Sequence, residues 1–206
     1  MAATAAPYGL RPVNLIGGQP YAGSTRMMKI NNAYSTDIYY GAPVSSNGNG
    51  YVQADNTTTA APATGIIGVF VGCTYTDPNL KYKVFKQYWP ASTVATDAEA
   101  YVVDDPDVVM QIQANGAVVQ ADVGANITIL TPQAGSTATG NSTASANAAA
   151  IAATATLPLR IVGFVDAPDS AVGDAKTDIL VKWNMPSTNG TAIIGGHSYM
   201  NPLGVA

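Results

Sequence analysis

Few side chains in this chain are suited to acid–base, nucleophilic or metal chemistry, so their spacing decides what each one offers. Asp104, Asp105 and Asp107 crowd around Pro106. Carboxylates this close in a loop are what calcium asks for, but an EF-hand needs a longer ligand series closed by a glutamate. The same residues make a turn in which Asp side chains accept backbone N–H groups, and that turn is the expected reading. His197 follows Gly195-Gly196, with no second metal ligand or nucleophile near it in sequence, and is expected to be a contact residue. Cys73 lies beside the apolar run Gly65–Gly72, where a buried small hydrophobe is the default. Cys73 and His197 make a nucleophile–base pair only if the fold unites them, and no flanking motif supports that. One cysteine and one histidine cannot supply a zinc set. Gly17-Gly18 is followed by no Gly-Lys-Ser/Thr, so no phosphate-cradling loop is present. No catalytic, cofactor-binding or metal-ligating residue is therefore assigned.

Composition points the same way. The 206 residues hold 9 basic and 13 acidic side chains, so 11% are charged, against about 25% in an ordinary soluble domain. Catalysis draws on titratable groups, and a chain this poor in them is expected not to be an enzyme. Charge also keeps surfaces soluble and unassociated, so a covered surface is expected. The net charge of −4 excludes the basic patch that nucleic-acid binding needs. The densest basic stretch, Lys81, Lys83 and Lys86 interleaved with Tyr82 and Phe85, reads as a solvated or partner-facing strand. No apolar run approaches the roughly 18 residues of a membrane helix, and Met1–Pro7 lacks the features of a secretory signal. A lone cysteine implies no internal disulfide. The sequons at Asn56, Asn126, Asn141 and Asn189 are expected by chance in a chain so rich in Asn and Thr.

The elements that would position these residues read as strands. Thr64–Tyr75 is rich in β-branched and aromatic residues, and its Gly65, Gly68 and Gly72 predict bends or close backbone approach. Leu80–Trp89 alternates, with Leu80, Tyr82 and Val84 on one side and Lys81, Lys83 and Phe85 on the other, after a turn at Thr76–Asn79. Further strands are expected at Thr25–Ile30, Ile38–Tyr40, Ala98–Val103, Val108–Gln113, Val118–Gln120, Asn126–Leu130, Leu157–Val165 and Asp178–Met185. Asn115-Gly116 predicts a hairpin between two of them. Many short strands without alternating helices predict an all-β fold: a small β-barrel, β-tulip-like or sandwich body over residues 25–185.

Three segments stand apart from that body. Residues 1–24, with Pro7, Pro12 and Pro20, are expected as an extended N-terminal arm, and residues 186–206 as a C-terminal arm. Residues 131–156 are nearly all Ala, Ser, Thr, Gly and Asn without a charge. Alanine propensity favours a short helix at Ala144–Ala153, but its Ser and Thr oppose one; an ordered extended loop is expected. Ordering a backbone residue costs about 1–2 kcal/mol, so thin arms must lie across a neighbour or stay loose. Eleven tyrosines and two tryptophans against three phenylalanines suit either an interface or half-buried sheet faces.

The opening Ala6-Pro7-Tyr8-Gly9-Leu10-Arg11-Pro12-Val13 resembles the start of structural proteins of tailed bacteriophages. The resemblance continues through Gly18-Gln19-Pro20-Tyr21-Ala22-Gly23, Tyr40-Gly41-Ala42-Pro43-Val44, Ile67–Gly72, Tyr101–Asp107 and Leu157–Phe164. Over nearly the whole chain it is similar to capsid cement, or decoration, proteins. That resemblance implies a β-barrel or β-tulip-like body, made in the bacterial cytoplasm and bound outside the icosahedral shell, often as a homotrimer. Its partner would be the major capsid (coat) protein, without nucleic acid, membrane or cofactor. Non-covalent clamping by both arms and the 131–156 loop is the expected mechanism, since many linked contacts give avidity and extended segments can add strands to sheet edges. The alternatives are another virion part (head fibre, portal-adjacent or tail protein), a sugar-binding host-attachment domain presenting Trp89 or Trp183, and, remotely, an enzyme gathering Asp104, Asp107 and His197.

Overall fold

The structure is a computed structural model that describes residues 4–55, 66–130, 134–165, 167–185, 187–189, 192–194, 196, 197 and 200. Several expectations fall outside the described residues: residues 1–3 of the N-terminal segment, Thr64 and Gly65, the Asn56 sequon, residues 131–133, and most of 186–206, including Gly190 and Thr191 of the Asn189 sequon.

In chain order the strands are β1 (Arg11–Leu15), β2 (Arg26–Lys29), β3 (Pro43–Ser46), β4 (Val52–Ala54), β5 (Ile66–Thr76), β6 (Lys83–Lys86), β7 (Glu99–Val103), β8 (Val108–Gln113), β9 (Asn126–Ile127), β10 (Ile129–Leu130), β11 (Ser145–Ala146), β12 (Leu159–Phe164), β13 (Asp178–Trp183), β14 (Ser187–Asn189) and β15 (Ala192–Ile194). Helix among the described residues is limited to 3-10 turns, at Gln120–Asp122, Ala148–Ala150 and Met200. The fold is all-β, as the turn-punctuated sequence predicts. One antiparallel sheet runs β1-β8-β13-β12-β9, and a second runs β2-β7-β5-β3-β4 with β6 also paired to β5. The second sheet curls until Ile30, after β2, meets Val52 of β4 in a single parallel bridge. Neither sheet closes into a barrel, so the body is the sandwich alternative.

Period-two alternation sets the main core. Met110 and Ile112 of β8, Ile179 and Val181 of β13, and Leu159 and Ile161 of β12 all point inward from the first sheet. They meet Ile66 and Val69 of β5 and Val103 of β7. A second core fills the curl of the other sheet, with Phe70, Cys73, Tyr75, Trp89 and Val102. The long β5 serves both because its two faces are buried in different cores, Val69 in one and Phe70 in the other. A bulge between Phe70 and Cys73, which shifts its pairing with β7 by one residue, keeps Cys73 and Tyr75 on the Phe70 side. Gly72, at φ +135, occupies that bulge, and a Cβ on Gly68 would collide with the Val103 carbonyl. Close approach is what the glycines of this run predict.

The terminal segments depart from free arms. β1 is an edge strand antiparallel to β8, and Leu10 before it is wholly buried. Pro12 is tolerated because the strand is an edge whose register slips between Pro12 and Asn14. At the other end, Ile66 N–H donates to Gly196 O (3.1 Å) and His197 N–H to Asn184 O (3.1 Å), strapping the chain onto the body.

Residues 134–156 do form an extended path with no α-helix; its centre, around residues 140–146, is seated in the protein, while 137–139 and 153–155 stay exposed. Ser142, Ala144 and Ala146 are fully buried, and backbone bonds tie the segment to Tyr40, Asn115 and Thr128. Ser142 Oγ accepts Ala144 N–H, a local bond that competes with helix formation, whereas Asn147 Oδ1 accepts Ala149 N–H and caps only a single 3-10 turn.

Four strand expectations are corrected. The Asn115-Gly116 hairpin does not form, because Asn115 Oδ1 accepts Ala148 N–H at 2.9 Å and β8 pairs with β1 and β13 instead. Val118–Gln120 is not a strand; Asp122 accepts Val119 N–H and closes a 3-10 turn. Asn126–Leu130 divides at Thr128, with β9 on β12 and β10 on β11. Ile38–Tyr40 makes isolated bridges to Trp89 and Asn141.

Candidate functional site

The acidic turn joins β7 to β8, and its carboxylates diverge. Asp104 pairs with Arg26 Nε at 2.7 Å, tying the turn to β2. Asp107 pairs with Lys182 Nζ of β13 at 2.7 Å. Asp105 Oδ1 accepts Asp107 N–H at 2.8 Å, the Asx turn that the spacing predicts. Among the described residues no three His, Cys, Asp or Glu side chains converge as metal ligands would.

His197 is fully buried and tilted against Trp183, with ring centroids 5.9 Å apart. Burial pushes its pKa down to about 4, opposed by the nearby Asp104, a backbone hydrogen bond with Ile67, and Asp105. The imidazole is neutral at pH 7 and faces the core, so it holds the chain end rather than meeting a substrate. Cys73 is also buried, and burial pushes its thiol up to about 12 against the pull of Lys86. Its thiol donates to the Tyr88 carbonyl at 3.5 Å. Cys73 lies in the second core and His197 against the first, so no nucleophile–base pair forms.

Neither tryptophan offers a platform for a sugar. Trp89 packs edge-on against Tyr75 (5.2 Å) and donates to Tyr34 O (3.4 Å); Trp183 is in the main core. The tyrosines divide between both expected uses. Tyr8 donates to Asp178 Oδ1 (3.1 Å) under the Arg11 guanidinium, and burial raises the pKa of both its hydroxyl and Asp178. Tyr39 stacks on Tyr88, whereas Tyr51 and Tyr82 are exposed.

The remaining feature is a projection over residues 76–97. Asp77 Oδ1 accepts Asn79 N–H (2.8 Å) and Leu80 N–H (3.1 Å), bonds that hold the Asp77 carboxyl below its ordinary pKa. Lys81 follows at φ +60. This turn consumes Asp77–Tyr82, so the alternating strand expected from Leu80 shrinks to β6. Leu80 and Tyr82 leave the pleat and stand 53% and 58% exposed; Phe85, on the outer side of β6, is 72% exposed and Val94 59%. Between the turn and the following loop lies a groove of about 350 Å³, lined by Asp77, Pro78, Lys81, Val94 and Asp97 among others. Asp97 braces it by accepting Thr76 N–H (3.0 Å) and Oγ1–H (2.7 Å), and those two bonds lower its pKa.

Lys81, Lys83 and Lys86 take no part in the three ion pairs among the described residues. Lys86 Nζ instead lies over the Tyr75 ring, 5.8 Å from its centroid, and its interaction with Tyr75 raises its pKa. β6 pairs only with β5, leaving its other edge open among the described strands. Sequence reading found the lysines and Phe85 but missed Val94 and the Asp97 brace, which approach the turn only through the fold. No family model, curated protein or solved structure matches this chain.

Proposed function

We propose that this chain is a non-enzymatic structural protein of a tailed-bacteriophage virion, a cement protein that binds the major coat protein on the outer capsid face as a homotrimer. The observation that carries the reading is the projection within residues 76–97, where Leu80, Tyr82, Phe85 and Val94 are each exposed in a segment that also holds three lysines outside the ion pairs. Solvent-facing aromatic and aliphatic side chains on a free strand edge are the makings of a contact surface. Two such edges laid together would set lysine against lysine, which disfavours self-pairing there. The surface suits a different chain, apolar at its centre and acidic at its rim.

The resemblance of Ala6–Val13 and the later motifs to cement proteins supports this reading, as does the use of Asp104, Asp107 and His197 to hold the fold. This reading puts the clamp on the projection rather than on the arms, because β1 and Leu10, the Gly196 and His197 bonds, and Ser142, Ala144 and Ala146 are committed to the body. Purified coat shells should take up the protein in multiples of three per capsomer junction and release their contents at a higher temperature when coated. Few copies per particle would favour the head-fibre or tail alternative, and no binding to shells would overturn the reading.

A further inference from the structure

Three Asn-Gly pairs lie within the described residues: Asn47-Gly48, Asn49-Gly50 and Asn115-Gly116. Such a pair can rearrange without an enzyme. The glycine backbone nitrogen attacks the Asn Cγ, a C–N bond forms to close a five-membered imide, the nitrogen's proton passes to solvent, and ammonia leaves. Water then opens either imide carbonyl, giving aspartate or isoaspartate. One water is consumed and one ammonia released, with no oxidant or cofactor. Glycine permits this because no Cβ shields its nitrogen and its backbone rotates freely.

The three pairs are held very differently. Asn115 Oδ1 accepts Ala148 N–H (2.9 Å), its N–H donates to Ala146 O (2.9 Å), and its carbonyl accepts from Lys176 Nζ. Asn47 Oδ1 accepts both Asn49 N–H (2.9 Å) and Tyr51 N–H (3.2 Å), while the would-be nucleophile, Gly48 N–H, donates to Ser46 Oγ (3.3 Å). In Asn49-Gly50 both residues are exposed, and neither the Asn49 side chain nor the Gly50 amide makes a hydrogen bond among the described residues.

We propose that Asn49 is a site of spontaneous modification, converting to aspartate and isoaspartate as the folded protein ages while Asn47 and Asn115 are protected. The product places a new carboxylate one residue before Gly50, which lines a groove of about 380 Å³ together with Met27, Met28, Lys29 and Tyr51. Ageing thus adds one negative charge at a defined place, whatever the chain binds.

The test is peptide mass mapping of the full-length native protein held at neutral pH, with isoaspartate read by enzymatic methylation. Asn49 should convert first, with Asn47 and Asn115 slower by on the order of tenfold or more, since each must break several hydrogen bonds. In denaturant the three rates should draw together. Ser46→Ala, which frees Gly48 N–H, should speed Asn47 several-fold without changing Asn49. Equal rates in the native protein, or earlier conversion at Asn47 or Asn115, would overturn the proposal.

Discussion

Residues 134–156 contain no charged side chain, and the centre of the segment is seated in the body with Ser142, Ala144 and Ala146 fully buried, while 137–139 and 153–155 remain exposed. Residues 76–97 hold Lys81, Lys83 and Lys86, and there Leu80, Tyr82, Phe85 and Val94 stand in solvent. Both regions connect or edge the sheets, yet one seats small side chains at its centre in the core, and the other presents large side chains to solvent around the buried Trp89. The difference lies in side-chain size and charge. Small uncharged residues let the backbone come close enough for Gly9 N–H to reach Ala144 O at 3.2 Å and Ser142 N–H to reach Tyr40 O at 2.8 Å. A lysine in their place would have to carry its ammonium into the core. On β6 the lysines keep an exposed strand edge soluble, which permits apolar side chains beside them. Missing charge lets the centre of one segment enter the core, and on the proposed function the retained charge accompanies the face left for a partner.

The largest expected effect lies in the covered region. Ala146→Asp buries an unpaired carboxylate between β10 and the main core, and should cost about 3–5 kcal/mol of stability, read as a drop in the denaturant midpoint. A change below 1 kcal/mol, about the size of surface substitutions, would show that the segment is not a structural layer.

Next comes the C-terminal strap, also covered. His197 is held near pKa 4 by burial, below its unfolded value of about 6.5. Below that unfolded value the unfolded chain binds a proton the native state refuses, so stability is complete above about pH 6.5 and falls as pH drops toward 4. The loss approaches about 3 kcal/mol. Denaturation midpoints across this window should flatten in His197→Gln relative to the parent; parallel slopes would place the imidazole in solvent.

The smallest effect on the fold, and the sharpest on binding, belongs to the projection. Phe85→Asp should leave stability within about 0.5 kcal/mol while weakening retention on coat shells at least tenfold, as loss of an aromatic anchor does. Unchanged retention would leave Phe85 without a role in binding.

Much of this was legible in the residues. Alternation located β7, β8, β12 and β13 closely, and the glycines of Ile66–Thr76 announced the close approach at Gly68 and the bulge at Gly72. The Asp104–Asp107 turn was readable because Asx turns are local chemistry. What sequence could not carry was long-range: the seating of residues 134–156 depends on Tyr40 and Asn115, far away in the chain. The Asn115-Gly116 hairpin failed for the same reason, since Ala148 captured the side chain the turn needed. The projection was half visible. Its lysines were plain, but Leu80 and Tyr82 looked inward by alternation until the Asp77 turn carried them out.

The central claim is that residues 76–97, rather than the charge-free segments, meet the coat. Side-chain oxidative footprinting of the protein free and bound to coat shells tests it directly. The account predicts that Leu80, Tyr82, Phe85 and Val94 lose labelling on binding while residues 134–156 stay as they are. Protection elsewhere, with those four side chains still labelled on the shell, would contradict it.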